Sequence, residues 1–332
     1  MAYGPLRVKE VETGTMAGKF LGVVTGAALL LGAATAPALA APAPRPAPAP
    51  EQRAAAAAAP RPAIWLLEDA DTRIYLFGTT HIFERGFQWR SPRLDAAIAE
   101  SDELVMETPD EEGFDGEAMM EAMTLPKPVP IMERVSPDRR EALARVIARS
   151  GIPEETWDEM TSFAAAFIVM AVPIGERLPP AKGGEDPFET AMSGAEEELG
   201  AEFRRRGLPV SGVETMQQQF DFFRNLSPDA QRAFLDSMID ASAVSYEESG
   251  IGGDTDWSTG NLAGLEAELR AMPPELYDAL LTRRNRAWTE WLTQRMERPG
   301  TVFFAVGALH LVGPDSVQAM LGARGMTTRR ID

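Results

Sequence analysis

The chain has 332 residues, 45% of them hydrophobic and 25% charged, which is an ordinary globular balance with length for one large domain or two small ones. A formal charge of −18 excludes DNA and RNA as partners, because phosphate binding needs a basic face. With no cysteine, a disulfide framework, a Cys-based zinc site and a thiol nucleophile are excluded as well.

Lys19 precedes an apolar stretch from Phe20 to Leu31, and small residues follow to Ala38-Leu39-Ala40. A charged residue, an apolar run and a small-residue end read as an export signal cleaved after Ala40, with Met16 as the working start. The expected location is therefore the periplasm or the exterior. Phe20 to Ala40 is also 21 residues, long enough to cross a bilayer, so an uncleaved inner-membrane tether is the alternative. Its richness in Ala and Gly rather than Leu favours cleavage, and no cysteine follows that could carry a lipid. Residues 41–63 alternate proline with alanine and charge, which keeps a chain extended and leaves nothing to pack. They read as a disordered linker ahead of a single domain, 64–332.

Ile64-Trp65-Leu66-Leu67 and Arg73-Ile74-Tyr75-Leu76-Phe77 are β-like runs joined by Glu68-Asp69-Ala70-Asp71, which predicts a hairpin. Ser91-Pro92 then opens a helix, as cap and first position, with Leu94, Ala97 and Ile98 as its apolar face. Glu103 to Glu107 is a further strand. Helical spacing covers Glu141–Arg149, Trp157–Met170, Pro228–Ala243, Leu262–Met272 and Leu276–Glu297, with Trp288 and Trp291 as core. Pro209 to Thr215 is a strand-like break among these helices, and its Val-Glu-Thr ending echoes Met106-Glu107-Thr108. Thr301 to Val306 is a strand, Ser316 to Leu321 a helix after the turn at Gly313-Pro314-Asp315, and Thr327 to Ile331 a last strand.

Both of the chain's histidines occupy the same setting. His81 ends Gly78-Thr79-Thr80-His81 after the second strand, and His310 ends Gly307-Ala308-Leu309-His310 after the penultimate one. Strand, Gly-x-x-His, helix, strand thus occurs at each end. The expected fold is α/β: a mixed central sheet built from two β-(Gly-x-x-His)-α-β units, with a large helical insertion between them. Ligands bind beyond the carboxyl ends of strands in such sheets, which is where His81, Glu107, Glu214 and His310 would lie.

A glycine closing a strand permits unusual backbone and close approach to a ligand. Two histidines projected from such supports, with one carboxylate, make a two-His, one-carboxylate set able to hold zinc, manganese or iron with positions left open. Such an ion lowers the pKa of bound water to ~7, and a second carboxylate can move protons. Thr79, Thr80 and Thr108 are candidates for supporting hydrogen bonds. The bland alternatives stay open: a histidine ending a strand can merely bond backbone, and Glu107 or Glu214 can be half of an ion pair. Within Arg283-Arg284-Asn285-Arg286, an arginine can hold a substrate carboxylate or oxyanion, or lie on a solvated helix face. Gly252-Gly253-Asp254-Thr255-Asp256 reads as a loop, since it lacks the spacing of a calcium site. His-Glu-x-x-His, Gly-x-Ser-x-Gly, P-loop and dinucleotide patterns are absent.

These residues resemble the TraB/GumN family, which is related to the Tiki metalloproteases. The likeness is carried by Leu76 to His81, Glu103 to Glu107, Gly212-Val213-Glu214-Thr215 with Gln217 to Gln219, Arg284-Asn285, and Val302 to Gly313. The resemblance implies a metal-dependent, peptidase-like hydrolytic site on an α/β fold shared with erythromycin esterase and a haem-binding lipoprotein. It implies His81 and His310 as metal-binding or catalytic, Glu107 as the key acid, and Glu214, Arg284 and Asn285 as supporting residues. Asp110 to Met123 and the acidic run Glu196-Glu197-Glu198 match nothing in it. The expectation is an exported hydrolase that takes a peptide or protein substrate and depends on a divalent ion (Zn, Mn or Co). His81, His310 and Glu107 would hold the ion, with Glu107 alternatively a general base, and Arg284 and Asn285 would position substrate. Two rivals remain: a haem- or ligand-binding envelope protein that uses the same cleft without turnover, and a non-catalytic accessory scaffold of polysaccharide assembly that does not depend on His81.

Overall fold

Asp69 turns the chain where the acidic tetrapeptide predicts it. Its Oδ1 accepts from the backbone N–H of Asp71 and of Thr72 at 3.1 and 2.9 Å, an aspartate-built turn that sets the register of the hairpin. The computed structural model describes residues 60–109, 116–178, 187–243 and 256–332. The predicted signal, most of the linker and Gly252 to Thr255 lie outside them. Of the linker's last residues, Arg61 already donates to Ser258 O at 2.8 Å and Ala63 is buried, so packing begins slightly before the expected boundary.

In chain order the elements are β1 (Ile64–Glu68), β2 (Thr72–Thr79), β3 (Phe83–Glu84), α1 (Pro92–Glu100), β4 (Glu103–Met106), α2 (Gly116–Met123) and α3 (Arg140–Ser150). Then come α4 (Glu154–Glu159), α5 (Ser162–Gly175), α6 (Pro187–Ala191), β5 (Met192–Ser193), α7 (Ala195–Arg205), β6 (Val210–Gly212), α8 (Met216–Arg224) and α9 (Pro228–Ser242). The last group is α10 (Leu262–Ala271), α11 (Pro274–Tyr277), a π-helical turn (Asp278–Thr282), α12 (Arg283–Arg295), β7 (Gly300–Gly307), a 3-10 turn (Ala308–Leu311), α13 (Val317–Ala323) and β8 (Thr328–Arg330).

The protein is α/β, with a six-stranded mixed sheet in the order β6-β4-β7-β2-β1-β8. β6, β4, β7 and β2 run parallel, and β1 and β8 join antiparallel at one side. The parallel strands are covered on both faces, so their sequences are nearly continuous apolar runs. Along β2, Tyr75 and Phe77 face a core shared with Leu94, Ala97 and Ile98 of α1 and Leu199 and Phe203 of α7. Ile74 and Leu76 face the opposite core, with Trp288 and Leu292 of α12 and Val317 and Leu321 of α13.

The helical insertion has its own core around α5, which is apolar and buried on nearly every side from Ser162 to Met170. At 14 residues it is a core helix, and no helix among the described residues is long and apolar enough to cross a membrane. Ile82 after His81, Met192 of β5 and Leu280 of the π turn belong to this core. Two predicted helices differ in detail. Trp157–Met170 is divided at Met160 and Thr161, where Thr161 takes extended backbone and caps α5 through its side chain to Ala164 N. Leu276–Glu297 is interrupted by the π turn. α2, α6, α7 and α8 lie outside the predicted helices, although α8 carries a sequence-visible start: Thr215 and Gln218 form a reciprocal capping box.

Candidate functional site

Strand register brings the predicted residues together. β2 and β7 are neighbours, pairing Thr79 with Gly307, and β4 lies against the other side of β7 with Met106 opposite Ala305. Glu107 therefore emerges beside Gly307, whose N–H donates to Glu107 Oε1 at 2.7 Å. The ladder between β4 and β6 runs on past its last pair, with Glu214 N–H donating to Glu107 O at 2.8 Å. Neither Gly78 nor Gly307 takes a positive φ, so the expected unusual backbone is not what requires glycine there. Space requires it: a Cβ on Gly78 would fall 2.9 Å from Ala308 Cα, and one on Gly307 would fall 3.1 Å from Glu107 Oε1.

Arg284 closes the site from α12. The π turn sets the register of this helix, and helical residues Arg284, Asn285 and Trp288 are all buried. The Arg284 guanidinium donates from Nε to Glu214 Oε1 at 2.9 Å, and from one terminal nitrogen to Glu214 Oε2 at 2.8 Å and to Glu107 Oε2 at 2.5 Å. It lies 4.8 Å from the Trp288 ring and 5.4 Å from Phe222. Gln219 donates to both carboxylates at 3.2 and 3.3 Å, and Trp288 Nε1 donates to Glu214 Oε1 at 2.9 Å. Burial alone would raise the Glu107 carboxyl, but Arg284 foremost, with both imidazoles and the Gly307 N–H, holds it well below the usual carboxylate range. Burial pulls the Arg284 guanidinium down; Glu107 and Glu214 more than reverse this.

The two imidazoles differ in their partners. Nδ1 of His310 is 2.6 Å from Asn285 Oδ1. With the amide assigned oxygen toward the ring, Nδ1 carries the hydrogen, and Nε2 accepts from Arg284 at 3.1 Å. Asn285 is itself fixed by donating to Asp315 O at 2.8 Å. Burial, and then the Arg284 charge, push the His310 pKa down to about 3, so the ring is neutral. His81 has a carboxylate partner: Nδ1 is 2.9 Å from Glu196 Oε1. That contact is an off-line ion pair, since the ring N–H is not aimed squarely at the oxygen. Thr79 Oγ1 hydrogen-bonds the same oxygen. Burial depresses the His81 pKa, but Glu196 and then Glu107 outweigh it and leave it raised.

A Cβ on Gly307 would lie 3.6 Å from His81 Nε2, 3.6 Å from His310 Cδ2 and 3.1 Å from Glu107 Oε1, so these three side chains ring one small cradle. His310 Nε2 is 3.7 Å from Glu107 Oε1, close to the ~3.4 Å that separates two ligands of a tetrahedral ion. As arranged, no three His, Asp or Glu side chains among the described residues are gathered tightly enough to hold an ion, and Arg284 engages His310 Nε2. The donor set, two imidazoles and a carboxylate, suits a divalent ion in kind. Both Nδ1 atoms have a side-chain oxygen beside them; His81 Nε2 then lies at the cradle, whereas His310 Nε2 faces Arg284.

All six sequence-predicted residues, His81, Glu107, Glu214, Arg284, Asn285 and His310, thus meet in one cluster. Arg284, expected to position substrate, is engaged by Glu107, Glu214, His310 and the Leu280 carbonyl. Glu196 was missed, because the acidic run Glu196-Glu197-Glu198 gives no hint of the face it occupies. Its signal was the helical spacing of buried Glu196, Leu199 and Phe203. Trp288, read as core, is core and also donates to the site. The cleft over the cluster has an apolar wall of Trp257, Leu265, Met272, Leu280, Leu281 and Leu309.

The sequence model of the TraB/PrgY/gumN family matches residues 63–330. No curated protein and no solved structure matches the chain at a significant level.

Proposed function

Because this chain belongs to the TraB/PrgY/gumN family, we propose that it is a divalent-metal-dependent hydrolase acting on peptide bonds. The observation that carries this reading is the convergence of both imidazoles on Glu107 at Gly307, with His81 Nε2 at the cradle and His310 Nε2 3.7 Å from Glu107 Oε1. His81 and His310 through Nε2, and Glu107 through Oε1, are the residues to hold the ion. Such an ion supplies Lewis acidity toward a carbonyl oxygen and acidifies water at neutral pH.

The protein's own residues do the rest. Glu107 directs Oε1 inward because Arg284 and Gln219 hold Oε2. This suits it to hold charge better than to abstract a proton. Asn285 keeps the His310 hydrogen on Nδ1. Glu214 keeps Arg284 in place, and Arg284 balances the carboxylates. The apolar wall offers a surface for an apolar side chain beside the bond to be cut. Export to the periplasm or exterior, with cleavage after Ala40, belongs to the same reading, and the N-terminus of the mature protein tests it.

Elemental analysis of the purified protein, paired with mass spectrometry of a digested peptide pool, tests the main reading. The expected result is one divalent ion per chain, lost in His81→Ala and His310→Ala, and peptide cleavage lost in Glu107→Gln. Full wild-type ion content in both histidine variants, or an uncut pool with ion-loaded wild type, overturns it.

A further inference from the structure

We propose that Glu196 is a positioning residue for this site: from the first turn of α7 it holds the His81 imidazole with its hydrogen on Nδ1 and Nε2 presented to the cradle, and Thr79 steadies the carboxylate. The inference deepens the metal-site reading and rests on it for the purpose of His81, though not for the state of the ring.

The placement of Glu196 is built rather than incidental. α7 begins directly after β5, and β5 pairs with β3, the segment that follows His81, through Phe83–Ser193 and Glu84–Met192. Arg85 N–H donates to Ala191 O at 2.8 Å, and Ala195 N–H donates to Thr80 O at 3.0 Å. Gly194 touches the histidine's own backbone so closely that a Cβ there would lie 2.5 Å from His81 O. These contacts pin the start of α7 to the His81 loop on both sides of the ring.

The neighbouring glutamates show what a merely structural acid does on this turn. Any of the three can favour the helix N-terminus by its charge. Glu197 reaches Arg85 at 3.2 Å at the surface, and Glu198 accepts from Trp89 Nε1 at 2.9 Å. Glu196 instead points inward, is 8% exposed, and leaves Oε2 buried without a hydrogen-bond partner among the described residues. A half-satisfied buried carboxylate is costly, and the helix terminus would be served without it. Its other oxygen lies 2.9 Å from His81 Nδ1, within ion-pair reach though off the line of the ring N–H. An acceptor on one ring nitrogen selects the tautomer and frees the other nitrogen, which is how ligating histidines are commonly oriented.

Because the chain has two histidines, its imidazole spectrum holds two ring systems, and His81→Gln assigns them. Long-range proton–nitrogen correlation on the full, chelator-treated protein, carried to the pH where the rings are neutral, reads the tautomer directly. The expected His81 pattern is hydrogen on Nδ1 in wild type, redistributed toward Nε2 in Glu196→Ala, with the His310 signals unmoved. An Nε2-protonated His81 in wild type, or a Glu196→Ala spectrum identical to wild type, overturns the proposal. The wild-type measurement stands even if the alanine variant does not fold. Zinc titration by calorimetry gives the second readout: Glu196→Ala should weaken binding about 10- to 100-fold, and unchanged affinity overturns the positioning role. Wild type that binds no zinc sinks the metal reading of the site and leaves the tautomer result to decide on Glu196.

Discussion

The N-terminal and C-terminal Gly-x-x-His units share a motif and a place at the end of a central strand, yet their histidines inhabit opposite environments. Each follows a parallel strand at the centre of the sheet, and each precedes a serine-capped helix. His310 faces an amide and a guanidinium and is kept neutral; His81 faces a carboxylate and is pushed toward the charged form. The motif supplies position, and the remote segment that packs on it supplies chemistry. For His310 that segment is α12, the helix immediately before its own strand. For His81 it is α7, far along the chain.

The largest way to break the contrast is to remove its central charge. Arg284 lies between Glu107 and Glu214 and against His310, and it is 3% exposed. Arg284→Met strands two buried carboxylates, so the ion-free protein should lose about 3–5 kcal/mol in urea unfolding. Adding Glu214→Gln should restore part of the loss. An unchanged midpoint in the single variant would mean that the two carboxylates are hydrated rather than enclosed.

Gly194→Ala attacks the N-terminal unit alone. The methyl must displace the His81 carbonyl or the start of α7, a cost of about 1–3 kcal/mol for forced packing. The His81 ring signals should shift while those of His310 stay put. Movement of both sets would show that the two units are mechanically one.

This difference also explains what could be read from the sequence. The paired strands, the hairpin turn and the helix after Ser91 each follow from a run of about ten residues, where turn chemistry and apolar spacing are local. Glu107 and Glu214 are legible because they end strands; Arg284 and Asn285, on a helix whose spacing leaves a solvated face open, come only from the family resemblance. Glu196 is not legible, because its role depends on β5 pairing with β3, and Met192-Ser193 is too short to announce a strand. The π turn at Asp278–Thr282 was hidden for a related reason: it shifts helix register without any glycine or proline inside it.

Acidity sharpens the contrast more gently. The His310 pKa falls to about 3 in the folded protein against an ordinary 6.5, so the unfolded chain takes up that proton first. Its contribution to stability is present above pH 6.5 and drains as pH falls toward 3, at up to about 1.4 kcal/mol per pH unit. His81 is raised, so its contribution is full below 6.5 and drains as pH climbs through its folded value. With ion-free protein, His310→Gln should flatten the acid side of the stability curve relative to wild type, and His81→Gln the neutral-to-alkaline side. Identical curves for the two variants would erase the distinction between the half-sites.

The smallest effect tests what the two units share. Ser91 accepts from Leu94 N–H and Ser316 from Ala319 N–H, both at 3.2 Å, and both serines are buried. Neither hydroxyl touches the carboxylate cluster, so each replacement should act on its helix start alone. Ser91→Ala and Ser316→Ala should each cost about 1 kcal/mol, in equal measure and additively in the double variant. Equal costs would locate the asymmetry of the molecule wholly in the side chains gathered around the two imidazoles. A markedly larger cost at Ser91 would instead extend it into the backbone that carries His81, and the tautomer of that ring would then depend on the helix that follows it as well as on Glu196.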